Sequence, residues 1–391
     1  MKLPRLAAAL FPFVLAACGG PSATSFQDAA PSYSALAMDV TADASAGGTT
    51  GMTAYAAPAP VDALAVTVAD TCHPHLFLRT ADVAWRVNRH LWRFLRHVER
   101  FAARAPDKLT SGDATWQRTH GTIEVRWTVT RVSDQVYDWL LQARPVGGSG
   151  WTTVFSGQID RTGAAGPHQG KGTATLDLTA LHAVDPTQPF TGVVDVAFES
   201  FADHRKLVVD AVAVTWEPPV DAAGMAWFAG VPENAHYVYY RAPGKGGSFK
   251  AHDSMIFLCP PPAAGAPPPA DVKLLSRWFV GGSPTPSYQG RSDAVMTGGQ
   301  LDAASRVVGV TCQTAGFDAT PAAEAYWLMK EEGAAPPFAT IAGAVWGPAG
   351  SEAACAAAFG PVPTVADGAN DFDFTSVDFD SADPAPFPGG P

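Results

Sequence analysis

Residues 122–131, which read TIEVRWTVTR, decide the fold because apolar and polar side chains alternate along them. Strict alternation is typical of a β-strand with one buried face. Five further strand candidates follow, separated by turn signals and by no helical pattern: 137–143, 151–159, 172–178, 192–201 and 206–216. Short strands that follow one another in this way predict an antiparallel meander.

A second set of strand candidates begins after Pro218 and Pro219. Its members are 235–241, 248–258, 272–280, 291–297, 306–313 and 325–330. Residues 260–270, which read PPPAAGAPPPA, favour a loop between two of these strands. We expect both sets to form one continuous sheet, because an amphipathic helix needs a surface for its apolar face.

One segment, about residues 80–104, has a helical pattern instead. Thr80 or Asp82 could cap its start, and Pro106 stops it. Its apolar face carries Val83, Val87, Leu91, Phe94, Leu95, Val98, Phe101 and Ala102. The predicted fold is therefore mainly β: a large antiparallel curved sheet, or a half-barrel or sandwich, packed against one long amphipathic helix.

Arginines gather on the other side of this helix, in a narrow arc bordered by Trp85 and Trp92. They are Arg86, Arg89, Arg93, Arg96, Arg100 and Arg104. One interpretation is a solvated charged face. The other is a ridge that contacts anions, since like charges three and four residues apart repel unless something acidic compensates. Lipid headgroups, an acidic polysaccharide and the chain's own acidic tail are the candidate partners, and the tail is preferred.

Composition limits the classes of function. The chain has 391 residues, of which 47% are hydrophobic and only 16% charged, so a sizeable core can form. The net charge of -11 disfavours nucleic-acid binding, which needs a basic surface. The 37 glycines and 34 prolines imply many turns and irregular connections.

The N-terminus is the most specific segment. Lys2 and Arg5 precede an apolar run, residues 6–17, that is too short to span a bilayer as a helix. The run ends in Leu15-Ala16-Ala17-Cys18, which resembles the lipobox of bacterial lipoproteins. The resemblance implies cleavage before Cys18 and a diacylglycerol on its sulfur. Gly19 at the next position suggests the outer membrane. The alternative is an ordinary signal peptide with a chance cysteine.

These features predict a division of the chain. Residues 1–17 are a lipoprotein signal peptide, and residues 18–63, rich in Ala, Ser, Thr, Gly and Pro, are a flexible tether. The alternative for the tether is a strand or short helix docked on the body. Residues 64–217 hold the helix and the first meander, and residues 218–360 hold the second β-rich set. Residues 361–391 are expected to be a disordered acidic tail.

Four cysteines remain besides Cys18, and an even number in an exported protein suggests two disulfides. Cys312 with Cys355, and Cys72 with Cys259, is the preferred pairing. Cys72-His73-Pro74-His75 resembles a fragment of a metal site, but no further ligands lie at productive spacing. We therefore predict no metal and no cofactor.

No catalytic motif identifies a reaction. Residues 147–151 read GGSGW and miss the last glycine of GxSxG, and the HExxH, P-loop and dinucleotide-binding patterns are absent from the sequence. The first hypothesis is a non-catalytic envelope lipoprotein with a binding or envelope-structural role, whose candidate partners are envelope polysaccharide, lipid or protein. The second is a carrier of acyl chains or lipoproteins, because the architecture looks like the half-barrel carriers of outer-membrane lipoproteins. The third is a secreted hydrolase that uses His204 or His252 beside an acid.

Overall fold

The computed structural model describes ten stretches of the chain. They are residues 22–40, 76–215, 232–255, 269–279, 288–299, 301–314, 324–333, 338–345, 351–361 and 377–387. The predicted signal peptide, with Cys18, lies outside them, and so do Cys72 and Cys259.

The described strands form one antiparallel sheet in which each strand pairs with its neighbours in the chain. The strands are β1 (Lys108–Leu109), β2 (Asp113–His120), β3 (Ile123–Arg131), β4 (Val136–Pro145), β5 (Thr152–Asp160), β6 (Gly170–Asp177), β7 (Val193–Ser200), β8 (Arg205–Val214), β9 (Glu233–Ala242), β10 (Gly246–Met255), β11 (Ala270–Phe279), β12 (Tyr288–Gly298), β13 (Arg306–Thr314), β14 (Glu324–Glu332) and β15 (Phe338–Val345). The predictions of a mainly β class and of one continuous sheet are confirmed.

Two details of the sheet differ from prediction. It is open and uncurled, with β1 and β15 at opposite edges, so the expected curved or half-barrel form is not seen. Three strands, β1, β2 and β15, lie outside the predicted set. In β2 only Ala114 and Trp116 are buried, and its last four residues are polar, so its alternation is short.

The described stretches also contain five helices. They are α1 (Ala23–Asp28), α2 (Tyr33–Leu36), α3 (Leu76–Ala102), α4 (Leu178–Val184) and α5 (Ser351–Phe359). Of these, α3 corresponds to the helix predicted at about 80–104, but it begins four residues earlier. Thr80 is therefore not a cap: its hydroxyl donates to the Leu76 carbonyl oxygen at 3.2 Å and lies 2.6 Å from the Ser276 hydroxyl.

The helix face of the sheet carries alternate strand residues such as Trp127, Trp139 and Tyr239, which are all buried. Trp139 stacks between Phe155 and Phe198, with ring centroids 6.3 and 6.0 Å away. Together with α3 they form one buried cluster, because alternation places every second side chain on the same face. The other side of the sheet is called the opposite face below.

Residues 22–40 differ from the expected tether, because they pack into this same cluster. Phe26, Leu36 and Met38 are fully buried. The Trp139 indole donates to the Ala29 carbonyl oxygen at 2.8 Å. Apolar side chains spaced through a stretch of low charge give the segment enough buried surface to offset its ordering entropy.

Part of the expected disordered tail is also packed. Residues 377–387, here called the C-terminal segment, lie on the opposite face, where Phe379 and Ala385 are buried with Leu275. Nearby, α5 covers β13 and β14, and its Phe359 packs with Val310. Aromatic residues between the acidic ones supply the apolar contacts that a purely acidic tail would lack.

Candidate functional sites

The predicted arginine ridge lies on α3, and its described members point away from the sheet. Arg96 and Arg100 are exposed, as is Arg104 just beyond the helix. The Arg89 and Arg96 guanidinium groups stack on Trp85 and Trp92, at 5.0 and 4.7 Å from the ring centroids. Arg86 and Arg93 also belong to the predicted ridge, but their side chains are not among those that the structure describes. Arg96, Arg100 and Arg104 are called the arginine surface below.

No acidic side chain of the described stretches forms an ion pair with the arginine surface. The nearest candidate in sequence, Glu99, accepts a hydrogen bond from the Tyr33 backbone N–H at 2.7 Å instead. Burial lowers the pKa of His97, and the neighbouring His120, Arg100 and Arg96 lower it further. This part of the molecule is therefore electropositive, although the chain as a whole is acidic.

We predicted that the chain's acidic tail would contact the arginine ridge. The described part of the tail does not lie beside the ridge. The C-terminal segment contacts the opposite face, while α3 lies on the helix face. Instead, α1 lies beside the C-terminal end of α3. The Gln27 side-chain amide donates to the Ala102 carbonyl oxygen at 2.5 Å and to that of Arg104 at 3.2 Å.

The second site consists of Lys250 and His252 on β10. These two side chains bind the C-terminal segment and are together called the clasp. The two His252 ring nitrogens lie 2.6 Å from Asp380 and 2.7 Å from Asp271. Lys250 donates to the Asp378 carbonyl oxygen at 2.5 Å and to the Ser381 hydroxyl at 2.8 Å. Residues 250 and 252 share one face because strand side chains alternate.

The clasp shifts the pKa values of its members. Burial lowers the pKa of His252, but the hydrogen bonds to Asp380 and Asp271 outweigh burial, so the pKa is raised overall. The hydrogen bond to His252 lowers the pKa of Asp380. Burial lowers the pKa of Lys250, against the attraction of Asp378, Asp383 and Asp380. An imidazolium between two carboxylates is the state that this geometry favours.

The structure places both hydrolase candidates, His204 and His252, between pairs of carboxylates. His204 lies 2.9 Å from Asp203 and 3.2 Å from Glu199, so both of its ring nitrogens face carboxylates, as in His252. A general base needs a nitrogen that can accept the proton of a nucleophile. In the described stretches, neither imidazole is hydrogen-bonded to a serine, threonine or cysteine. Those stretches also contain no group of three or more His, Cys, Asp or Glu residues that could hold a metal ion.

A buried charge cluster lies under the end of α5, and the sequence analysis missed it. Arg291 bonds to Asp293 at 2.8 Å and donates to the Pro361 carbonyl oxygen at 2.7 Å. Lys330 and Glu332 are also buried on the opposite face. The i, i+2 spacing of each pair was a visible signal, since it places both charges on one face of a strand. Arg291 joins the end of α5 to the sheet through the Gly360 and Pro361 carbonyl oxygens, so we assign the Arg291–Asp293 pair a structural role.

A shallow groove of about 420 Å³ lies on the opposite face beside the C-terminal segment. Its polar lining includes Lys171, Lys206, Asp160 and Glu199, and Ala382 closes one side. Opposite charges alternate around it, so it offers no concentrated field for an ion. Apolar residues such as Ala197 and Val208 lie between the charged ones, so its surface is mixed.

The cysteines follow the predicted pairing where the structure describes them. The sulfur atoms of Cys312 on β13 and Cys355 on α5 are at disulfide-bonding distance. The other predicted pair, Cys72 with Cys259, lies outside the described residues.

Within the described stretches, no helix combines the length and the apolar character needed to cross a bilayer. Comparison with protein families, with curated proteins and with solved structures finds no match to the chain.

Proposed function

We propose that the protein is a lipoprotein of the bacterial cell envelope, anchored through Cys18, with a non-catalytic binding or structural role outside the cytoplasm. The observation that carries this proposal is Leu15-Ala16-Ala17-Cys18 at the end of a basic start and a 12-residue apolar run, 6–17. Two or three acyl chains on one residue give stable membrane attachment, whereas one chain is marginal. The outer membrane is the favoured location, because Gly19 follows the cysteine.

The cysteine pair supports a compartment outside the cytoplasm. Disulfides persist in oxidising compartments such as the periplasm and the cell exterior, and they are rare in the cytosol. Cys312 and Cys355 are buried and joined. A pair of this kind fits a chain that is exported before it folds.

The packing favours this role over transport of acyl chains. A carrier needs an apolar cavity between helix and sheet. In the described stretches, Leu95 and Val98 of α3 and Trp127 of β3 are completely buried within one cluster at that interface. The groove on the opposite face is shallow, and charged side chains alternate with apolar ones along its lining. These observations support a filled core and a function at the surface.

The anchor is tested by growing cells that express the full chain with a labelled fatty acid. We expect the label on the wild-type protein and its loss in Cys18→Ser, with release of that variant from the membrane fraction. Cys72→Ser is the matched control and should keep the label, because it removes a different cysteine. Equal labelling of Cys18→Ser, or an unprocessed, unacylated chain in the cytoplasm, would contradict the proposal.

A further inference from the structure

We propose that the arginine surface, Arg96, Arg100 and Arg104, binds the anionic phospholipid headgroups of the membrane that holds Cys18. This inference rests on the proposed function, since it takes Cys18 to be acylated. It adds an orientation of the folded body and a second contact with the membrane.

The first argument is exposure and direction. At 100° per residue, Arg96 and Arg100 lie almost opposite the buried residues Val98 and Val87 of α3. Their guanidinium groups therefore point away from the sheet. No element of the described stretches covers them.

The second argument is charge. Arg96 and Arg100 are four residues apart on α3 and repel each other, and no described carboxylate pairs with the arginine surface to relieve this. Glu99 is held by the Tyr33 backbone instead. An anionic partner from outside the folded body would relieve the repulsion.

The third argument is reach. Three residues, 19–21, lie between Cys18 and Ser22, where the described chain begins, so the two Cα atoms are at most about 14 Å apart. The next residues form α1, whose Gln27 is hydrogen-bonded to the backbone of Ala102 and Arg104. The six-residue α1 adds only about 9 Å. An acylated Cys18 is thus tied to the same end of α3 that carries the exposed arginines.

The fourth argument is chemistry. The planar guanidinium fork matches the oxygens of a phosphate group. Trp92, half-buried beneath the Arg96 guanidinium, has the apolar body and polar N–H that suit a membrane interface. The acidic residues Asp378, Asp380 and Asp383 lie on the opposite face, away from this surface. A chain of net charge -11 would approach an anionic membrane with its basic side.

The test uses the full-length acylated protein, with acylation verified by mass. It is reconstituted in vesicles of phosphatidylcholine, with or without phosphatidylglycerol, and treated with phenylglyoxal. Adducts are then quantified at each arginine by mass spectrometry. We expect about fivefold fewer adducts at Arg96, Arg100 and Arg104 in the anionic vesicles, from ~1 kcal/mol per arginine at an anionic surface. Arg306 of β13, whose side chain lies on the opposite face and is 40% exposed, should react equally in both.

Two double variants separate local contact from net charge, since each removes two cations. Arg96→Gln/Arg100→Gln should abolish the lipid-dependent protection of Arg104. Lys171→Gln/Lys245→Gln, with both lysines exposed elsewhere, should retain it. Equal adduct yields in both vesicle types would overturn the inference alone. Protection only on addition of a soluble polyuronate would replace lipid by polysaccharide as the partner. An unacylated protein would overturn the proposed function together with this inference.

Discussion

His252 illustrates how one side chain can join distant parts of the chain. Its partners Asp271 and Asp380 lie 19 and 128 residues away, and a protonated ring can donate a hydrogen bond to each of them at once. Because the folded-state pKa is raised, the stabilisation is full below the usual pKa and is lost as pH rises through the raised value. The lowered pKa of Asp380 acts in the other direction, so stabilisation is lost as pH falls through it. The segment is therefore held best at pH values between the two.

The clasp predicts pH-dependent docking of the C-terminal segment. In the wild type, hydrogen exchange of residues 377–387, corrected for intrinsic rates, should be slower near pH ~6 than near pH ~9. His252→Gln should exchange faster at the lower pH, by roughly fivefold for a loss of about 1 kcal/mol. His120→Gln, an exposed histidine elsewhere, should match the wild type. Slow exchange in His252→Gln at both pH values would refute the clasp.

Sequence reasoning singled out His252, but the partners of this residue could not be found from the sequence. The residue was considered as a base beside an acid, and it does have acidic neighbours. Its role depends on Asp271 across a strand pair and on Asp380 from a segment that was expected to be disordered. Neither neighbour is visible from local spacing, because register and docking bring them together.

At the scale of elements, the docking of residues 37–40 on α3 depends on one buried amide. Asn88 accepts from the Met38 N–H at 2.7 Å and donates to the Met38 carbonyl oxygen at 2.6 Å. The pair satisfies both backbone groups of a residue that is fully buried. A neighbouring strand would form the same two hydrogen bonds with this backbone, but here the Asn88 side chain forms them.

Asn88→Ala should release this element. Two buried backbone groups would lose their partner, at a cost of about 2–4 kcal/mol in the free energy of unfolding. We expect a lower urea midpoint and faster proteolysis near Met38. Gln117→Ala, on an exposed position of β2, is the control and should change neither. An unchanged midpoint in Asn88→Ala would show that packing alone holds the segment.

At the scale of the whole molecule, the core of the sheet extends beyond the body that the sequence analysis delimited. That body was predicted to begin at residue 64. In the structure, Phe26, Leu36, Met38 and Val40 complete the apolar cluster over the strands and α3. The Arg205 guanidinium also donates to the Ala37 carbonyl oxygen at 3.0 Å, which ties this segment to β8.

A chain that begins at residue 41 should therefore be less stable than one that begins at residue 19. Full burial of each large apolar side chain contributes about 1.5–3 kcal/mol, so the four residues suggest a loss of at least 5 kcal/mol, roughly. We expect a lower thermal midpoint, more binding of a hydrophobic dye and a poorer soluble yield. Equal midpoints for the two chains would mean that residues 22–40 are a tether after all.

The sequence by itself determined twelve of the fifteen described strands, because alternation is a local property that a half-buried sheet imposes on every residue along it. It thereby predicted the mainly β class and the continuous sheet. The even number of cysteines suggested disulfides, and the pairing of Cys312 with Cys355 was a preference among the possible pairings. Only the tertiary structure decided where residues 22–40 and 377–387 lie. Both are short and irregular, and their contacts are with surfaces assembled from residues far away in the chain. No local pattern encodes such a surface, since it exists only after the sheet has formed.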